Sequence, residues 1–225
     1  MGTVAMLKFE APMMSFGAAR IDAYDRAGAV PTASMITGLF GCALGIPRRE
    51  SARLQAMQDA MRVSVSVLRH GRIIEDYQTA DLGKPFLRGP MWTVEGVPVE
   101  RAGSSITDTR QQWRQYIADG SVLAAVVLGE GFPVPLSDLQ QAMESPAHPL
   151  RIGRVTCPPA GPIWQGVLDS TMLDALQLAG NSVEYVLPVT DYAPEMGDLL
   201  MTVNGRKDWK NDRHVGAETY IRRAA

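Results

Sequence analysis

Between residues 32 and 67 the hydrophobic period of this chain switches from that of a helix to that of a strand, and few folds accommodate the switch. Ile36, Leu39, Phe40, Ala43 and Leu44 recur at i, i+3, i+4, i+7 and i+8, one complete apolar stripe of a helix. Thr32 or Ser34 can cap its exposed N–H groups, and Gly45 with Pro47 stops it. Gly38 and Gly41 each weaken such a helix by about 1 kcal/mol relative to Ala, so another backbone is expected to approach closely there. Val63, Val65 and Val67 then alternate with Ser64 and Ser66, the period of a half-buried strand. A short apolar strand, Val4 to Phe9, precedes the first helix, and residues 49–60 form a second one. Gly71 turns the chain into Ile73-Ile74. Val122 to Leu128 is a continuous apolar run suited to a central strand, and Ser137-Asp138-Leu139-Gln140 has the form of a capping box opening another helix. The order strand, helix, strand, strand, helix predicts an α+β fold of the ferredoxin-like kind. Residues 170–180 read as helical, ending at Gly180.

Between Thr79 and Thr107 lies an insertion rich in Gly and Pro. Met91 to Val94 and Val97 to Glu100 flank Glu95-Gly96, which predicts a hairpin with a two-residue turn. Pro98 cannot donate a ladder hydrogen bond, so its strand belongs at an edge. Two strands alone are marginal in water, and the hairpin is expected to order against a partner.

With 46% hydrophobic residues the chain can bury a real core, and no apolar run approaches the ~20 residues that cross a bilayer. The opening Met1 to Met6 has no basic segment leading into an apolar stretch, so a cytoplasmic location is expected. Cys42 and Cys157 are the only cysteines and read as buried structural thiols, neither a disulfide framework nor a zinc site. His70, His148 and His214 have no metal-ligand spacing to one another. Dinucleotide fingerprint, Walker loop and nucleophile elbow are all missing from the pattern. No catalytic residue, metal or cofactor is therefore expected.

The net charge of −2 does not advertise nucleic acid, but its distribution is uneven. Residues 115–200 carry ten acids against Arg151 and Arg154 alone, whereas residues 201–225 carry six basic residues against three acids. Arginine outnumbers lysine 18 to 4, and its planar fork suits phosphate or carboxylate. Arg110 and Arg114 are four apart and would share one face of a helix.

Several short segments, taken in order, resemble the Cas-five subunits of CRISPR effector complexes, most closely the type I-E branch. They are Ala11-Pro12-Met13-Met14-Ser15-Phe16-Gly17, the stretch Pro31 to Ile46, Asp76-Tyr77-Gln78-Thr79, Thr109 to Tyr116 followed by Ala118 to Ser121, and Ile152-Gly153-Arg154-Val155-Thr156-Cys157-Pro158-Pro159. The likeness covers residues 7–160 and thins beyond them to a basic, Trp-containing end near Arg206 to Arg213. Ala33 stands where the family often has Lys or Arg, so that phosphate contact is not carried over.

The resemblance implies a RAMP domain, similar to an RNA-recognition motif, with a protruding β-hairpin thumb. It implies residues 1–160 as the RNA-handle domain, the thumb at about 80–107, and residues 161–225 as a smaller extension. It implies a non-catalytic subunit holding the 5′ handle of a CRISPR RNA. Its protein partners would be the backbone Cascade subunit and the large DNA-recognition subunit, with target DNA engaged indirectly and no membrane. The RNA-binding residues it points to are Ser15, Gly17, Arg20, Thr32, Ser34, Arg110, Arg114, Tyr116, Arg151, Arg154 and Lys207, with Lys84, Arg88 and Trp92 on the thumb. Single-stranded RNA is gripped by aromatic platforms, Arg planes and phosphate contacts, which these residue types supply. Two other readings stay open. One is a metal-independent endoribonuclease using His70, Tyr77 or His148 as base and acid; the other is a scaffold that binds only protein.

Overall fold

The first strand, β1 (Gly2–Glu10), has two apolar faces, and the fold is layered around it. The computed structural model describes residues 2–21, 23–81, 90–92, 98–100 and 109–225, with side chains except at 19–21, 80–81, 90–92, 98–100 and 109–110. After β1 come β2 (Met13–Met14), β3 (Phe16–Ile21), β4 (Tyr24–Gly28), α1 (Ala33–Ala43) and α2 (Ser51–Asp59). The middle of the chain forms β5 (Met61–Arg69), β6 (Arg72–Asp81), β7 (Pro90–Trp92), β8 (Pro98–Glu100), β9 (Thr109–Ala118), β10 (Ser121–Leu128) and α3 (Leu136–Glu144). The last part adds β11 (Trp164–Ser170), α4 (Met172–Leu178), β12 (Glu184–Pro188), β13 (Leu199–Val203), β14 (Lys207–Asp208), β15 (Arg213–His214) and β16 (Glu218–Ala224).

The main sheet runs β11-β1-β10-β5-β12-β16-β13, every neighbour antiparallel. Its first four strands, with α1–α2 after β1 and α3 after β10, make the expected ferredoxin-like unit. Alternation along β1 divides the core: Ala5, Leu7 and Phe9 pack with Ile36, Leu39 and Phe40 of α1, while Val4 and Met6 pack with Met172, Ala175 and Leu176 of α4. Strands from residues 161–225 thus lie on both flanks of the sheet, and α4 covers its second face. Among the described residues no helix is long and apolar enough to cross a membrane.

A second sheet grows from the β5–β10 pair. Across the turn at His70-Gly71, β5 passes into β6; β9 returns along β6 from Asp81↔Thr109 to Arg72↔Ala118, then turns into β10. On its other side β9 meets β2 and β4. Beyond β6, β7 and β8 form a separate hairpin.

Five local expectations are corrected. Ser64 and Ser66 are fully buried rather than solvated, because α4 packs over their face of the sheet. What crowds the α1 glycines is side chain, not backbone: a Cβ on Gly41 would stand 2.8 Å from Leu54 Cδ2 of α2, and one on Gly38 would stand 3.7 Å from the Trp209 ring. Ser137 does not cap α3; Pro135 holds the cap position, and the Ser137 hydroxyl lies against Asp138. Residues 110–114 are strand, not helix, since the long ladder with β6 overrides local preference. Trp92 opposes Pro98, one residue out of the register that a two-residue Glu95-Gly96 turn imposes.

Candidate nucleic-acid interface

Four segments distant in sequence wall a groove of about 780 Å³. Ser15, Phe16, Gly17, Ala18, Asp25 and Arg26 come from β3, β4 and the residues leading into them. Thr32, Ser34, Gly38 and Cys42 come from α1 and its cap, Pro149 to Arg154 from the loop after α3, and Asn204 to His214 from the C-terminal region. The cations Arg26, Arg48, Arg151, Arg154 and Lys207 line it, with the His214 imidazole and the Trp209 ring.

The floor is the start of α1. The Thr32 hydroxyl accepts the Met35 N–H at 3.3 Å and lies 3.1 Å from the Ser34 hydroxyl, and the Ser34 N–H donates to the Gly205 carbonyl at 3.0 Å. These two side chains are occupied in shaping the floor.

One wall is a buckle made by residues 152–157. The Ser15 N–H donates to the Ile152 carbonyl at 3.2 Å, the Ile152 N–H to Cys157 at 2.8 Å, and the Cys157 N–H to Arg154 at 2.9 Å. Gly153, at φ +84°, passes so close to β2–β3 that a Cβ there would stand 1.7 Å from the Ser15 carbonyl oxygen. Arg154 fastens the buckle to the second sheet. Its Nη1 donates to the Gln115 carbonyl at 2.8 Å, its Nη2 to the Asp25 carboxylate at 3.1 Å, and its guanidinium sits 4.7 Å from the centroid of the buried Tyr116 ring.

The facing wall is the 204–214 loop, held by α2. Gln58, buried, donates from Nε2 to the Lys207 carbonyl at 2.9 Å; its Oε1 accepts from the Lys207 N–H at 3.1 Å and from Trp209 Nε1 at 3.2 Å. Gln55 Oε1 takes the Trp209 N–H at 3.2 Å. The Lys207 ammonium lies 4.8 Å from the Trp209 ring centroid and pairs with Asp212, which also faces Arg48 at 3.7 Å. The hydrogen bond from Lys207 holds the Asp212 carboxyl below its ordinary range. Gln58→Leu removes the shared acceptor and strands the Trp209 and Lys207 donors, so a loss of about 2 kcal/mol is expected. Amide exchange should quicken across 205–214 while β1 and β10 stay protected; uniform quickening would contradict the local clamp.

The family model described as CRISPR-associated protein (Cas_Cas5) matches residues 5–217. The chain belongs to the Cas5 family. It is 28% identical over 171 residues to the CRISPR system Cascade subunit CasD of Escherichia coli (strain K12), covering 76% of this chain and 74% of that one. Its fold is similar to that of a chain in a "CRISPR RNA-guided surveillance complex", with a TM-score of 0.67 and 20% identity over 98% of this chain and 90% of the other. A structure described as a "Cas protein" gives 0.62 and 21% over 98% and 94%.

Of the positions that the Cas5 likeness singles out, Ser15, Gly17, Thr32, Ser34, Arg151, Arg154 and Lys207 come together in the groove. Tyr116 does not offer a face to a base, being buried beneath Arg154. Arg114 lies outside the groove, its Nη2 donating to Gln112 at 3.0 Å. The side chains of Arg20, Arg110 and Trp92 lie outside the described residues, as do Lys84 and Arg88 altogether. Cys157 is buried as expected, but Cys42 is half-buried at the groove, where burial raises its thiol pKa. Sequence reasoning missed Arg26, Arg48, Trp209 and His214. The basic excess after residue 200 and the basic, Trp-containing end near Arg206 to Arg213 pointed toward the last two without naming them.

Proposed function

We propose that this Cas5-family chain is a non-catalytic subunit of a Cascade-type complex and that its groove holds the 5′ handle of the CRISPR RNA. The observation that carries the reading is the convergence of five cationic side chains, an imidazole and an aromatic ring on one groove of a chain whose net charge is −2. Arg26, Arg48, Arg151, Lys207 and His214 supply phosphate contacts, and Trp209 supplies an aromatic face for an unpaired base. Arg154 acts from behind, holding the wall to Asp25 and Tyr116. The backbone and large subunits then meet the surfaces around this groove and the thumb, whose positions include Lys84, Arg88 and Trp92.

The non-catalytic part rests on the arrangement of candidate acids and bases. None of His70, Tyr77 and His148, the acids and bases that a metal-independent scission would use, lines the groove. Repeat RNA incubated with the chain should stay intact. Site-specific scission lost on replacing one of those three residues would establish the endoribonuclease instead.

Binding is tested by titrating labelled repeat RNA across a salt series. The acidic remainder of the chain should make the isolated protein a weak binder that tightens on assembly with its partners. The log–log salt slope should flatten by about 0.7 for each phosphate contact removed. Replacing Arg26, Arg48 and Lys207 with Ala together should therefore flatten it by about 2. An unchanged slope and affinity would remove the groove from the RNA path.

A further inference from the structure

We propose that Tyr24, Trp113 and Tyr77 form a stacking platform for unpaired bases of the RNA strand whose phosphates lie in the groove; the inference rests on the RNA-handle reading. The three residues sit on adjacent strands of the second sheet, Trp113 opposite both Tyr24 of β4 and Tyr77 of β6. The Tyr24 and Trp113 rings are stacked, centroids 4.9 Å apart and planes 19° apart, and Tyr77 lies 5.0 Å from Trp113 on a plane tilted by 38°. Trp113 is therefore flanked by a tyrosine on each side, while Tyr24 and Tyr77 remain 49% and 52% exposed. Ile73, four residues before Tyr77 and so on the same face, is also exposed. Two half-exposed tyrosines closing the ends of one continuous aromatic stack are a surface with an occupant.

Charge and continuity identify that occupant as nucleic acid. Arg26, two residues beyond Tyr24 and on the same face of β4, lines the groove, so the platform adjoins it there. Arg26 stands at the Tyr24 end, and Glu75 shares a face with Tyr77 at the other. Phosphates are drawn to the first end and repelled from the second, while neutral bases add to the outer faces of Tyr24 and Tyr77. A base adds to an existing stack without a hydrogen-bond code, so the platform is tolerant of sequence.

The test compares two RNA oligomers with the full-length chain at low salt: an unpaired oligoadenylate of about eight nucleotides, within the range one binding surface spans, and an abasic strand of equal length. The wild type should bind the base-bearing strand roughly five- to hundred-fold more tightly. Tyr24→Leu with Tyr77→Leu keeps apolar bulk but removes two π faces. It should bring the ratio down toward that of the groove alone and leave abasic affinity unchanged. Tyr24→Phe with Tyr77→Phe, which keeps the faces, should retain the wild-type ratio. Arg48→Ala should weaken both oligomers alike, which separates groove from platform. A wild-type ratio in the Leu variant overturns the platform while leaving the groove reading intact. The same ratio combined with failure to assemble with partner subunits makes the surface a protein-docking face and likewise overturns it. No binding of either oligomer by the wild type overturns both readings.

Discussion

Gly153→Ala is expected to prevent stable folding of the wall between the two sheets. The added Cβ would stand 1.7 Å from the Ser15 carbonyl oxygen and 2.8 Å from its carbon, both backbone atoms that cannot rotate away. The residue also sits at φ +84°, where an L side chain is strained. The strain alone costs about 1–2 kcal/mol, and relieving the overlap means pulling the 152–157 buckle off β2–β3, so a total above about 4 kcal/mol is expected, at the exceptional end for a single substitution. Gly131→Ala is the control. Gly131 has φ +90° with nothing within 4 Å of the added carbon, so only the strain remains. Chemical denaturation of both variants decides the matter: similar midpoints would show that the close approach at Gly153 carries no cost.

Arg154→Ala should produce the second-largest loss, and of a kind that separates support from contact. Removing the guanidinium leaves the Asp25 carboxylate and the Gln115 carbonyl without their donor and uncovers the Tyr116 ring. Losing one partner of a buried pair costs 3–5 kcal/mol; at side-chain exposures of 17% and 26% the figure falls to about 2–3 kcal/mol. Arg154→Lys restores the charge but not the fork, and should recover less than half. RNA affinity should fall because the wall loosens, with the salt slope unchanged. Arg48→Ala, by contrast, should flatten the slope at little cost in stability. Wild-type stability with a flattened slope in Arg154→Ala would make Arg154 a phosphate ligand.

The same two residues show how far the sequence carries. The Gly-Arg-x-x-Cys-Pro segment was recognisable by its likeness to the Cas-five family, and Arg154 was read from it as an RNA contact. The geometry gives each member a mechanical reason: the glycine for close approach, the arginine for fastening, the buried cysteine for closing the turn. Nothing within six residues announces that Ser15, Asp25 and Gln115 will be their partners. Tyr116 was legible as an aromatic beside arginines, yet whether its ring faces solvent or the underside of Arg154 depends on a loop some forty residues away.

What the sequence determined by itself is most of the ferredoxin-like unit, but not its fourth strand, β11, which lies in the stretch read as an extension. Helix α1 and strands β1, β5 and β10 are written in hydrophobic periods of 3.6 and 2, which are properties of neighbouring residues. The family segments fall on and between these elements. What only the tertiary structure decided is everything set by pairing at a distance. The strand state of residues 109–118 comes from the ladder with β6, and the burial of Ser64 and Ser66 comes from α4. The groove itself joins Ser15 to His214 through side chains whose own surroundings in sequence are unremarkable. Periodicity records which face of an element is apolar; it does not record what covers that face, because the cover is chosen by chain topology.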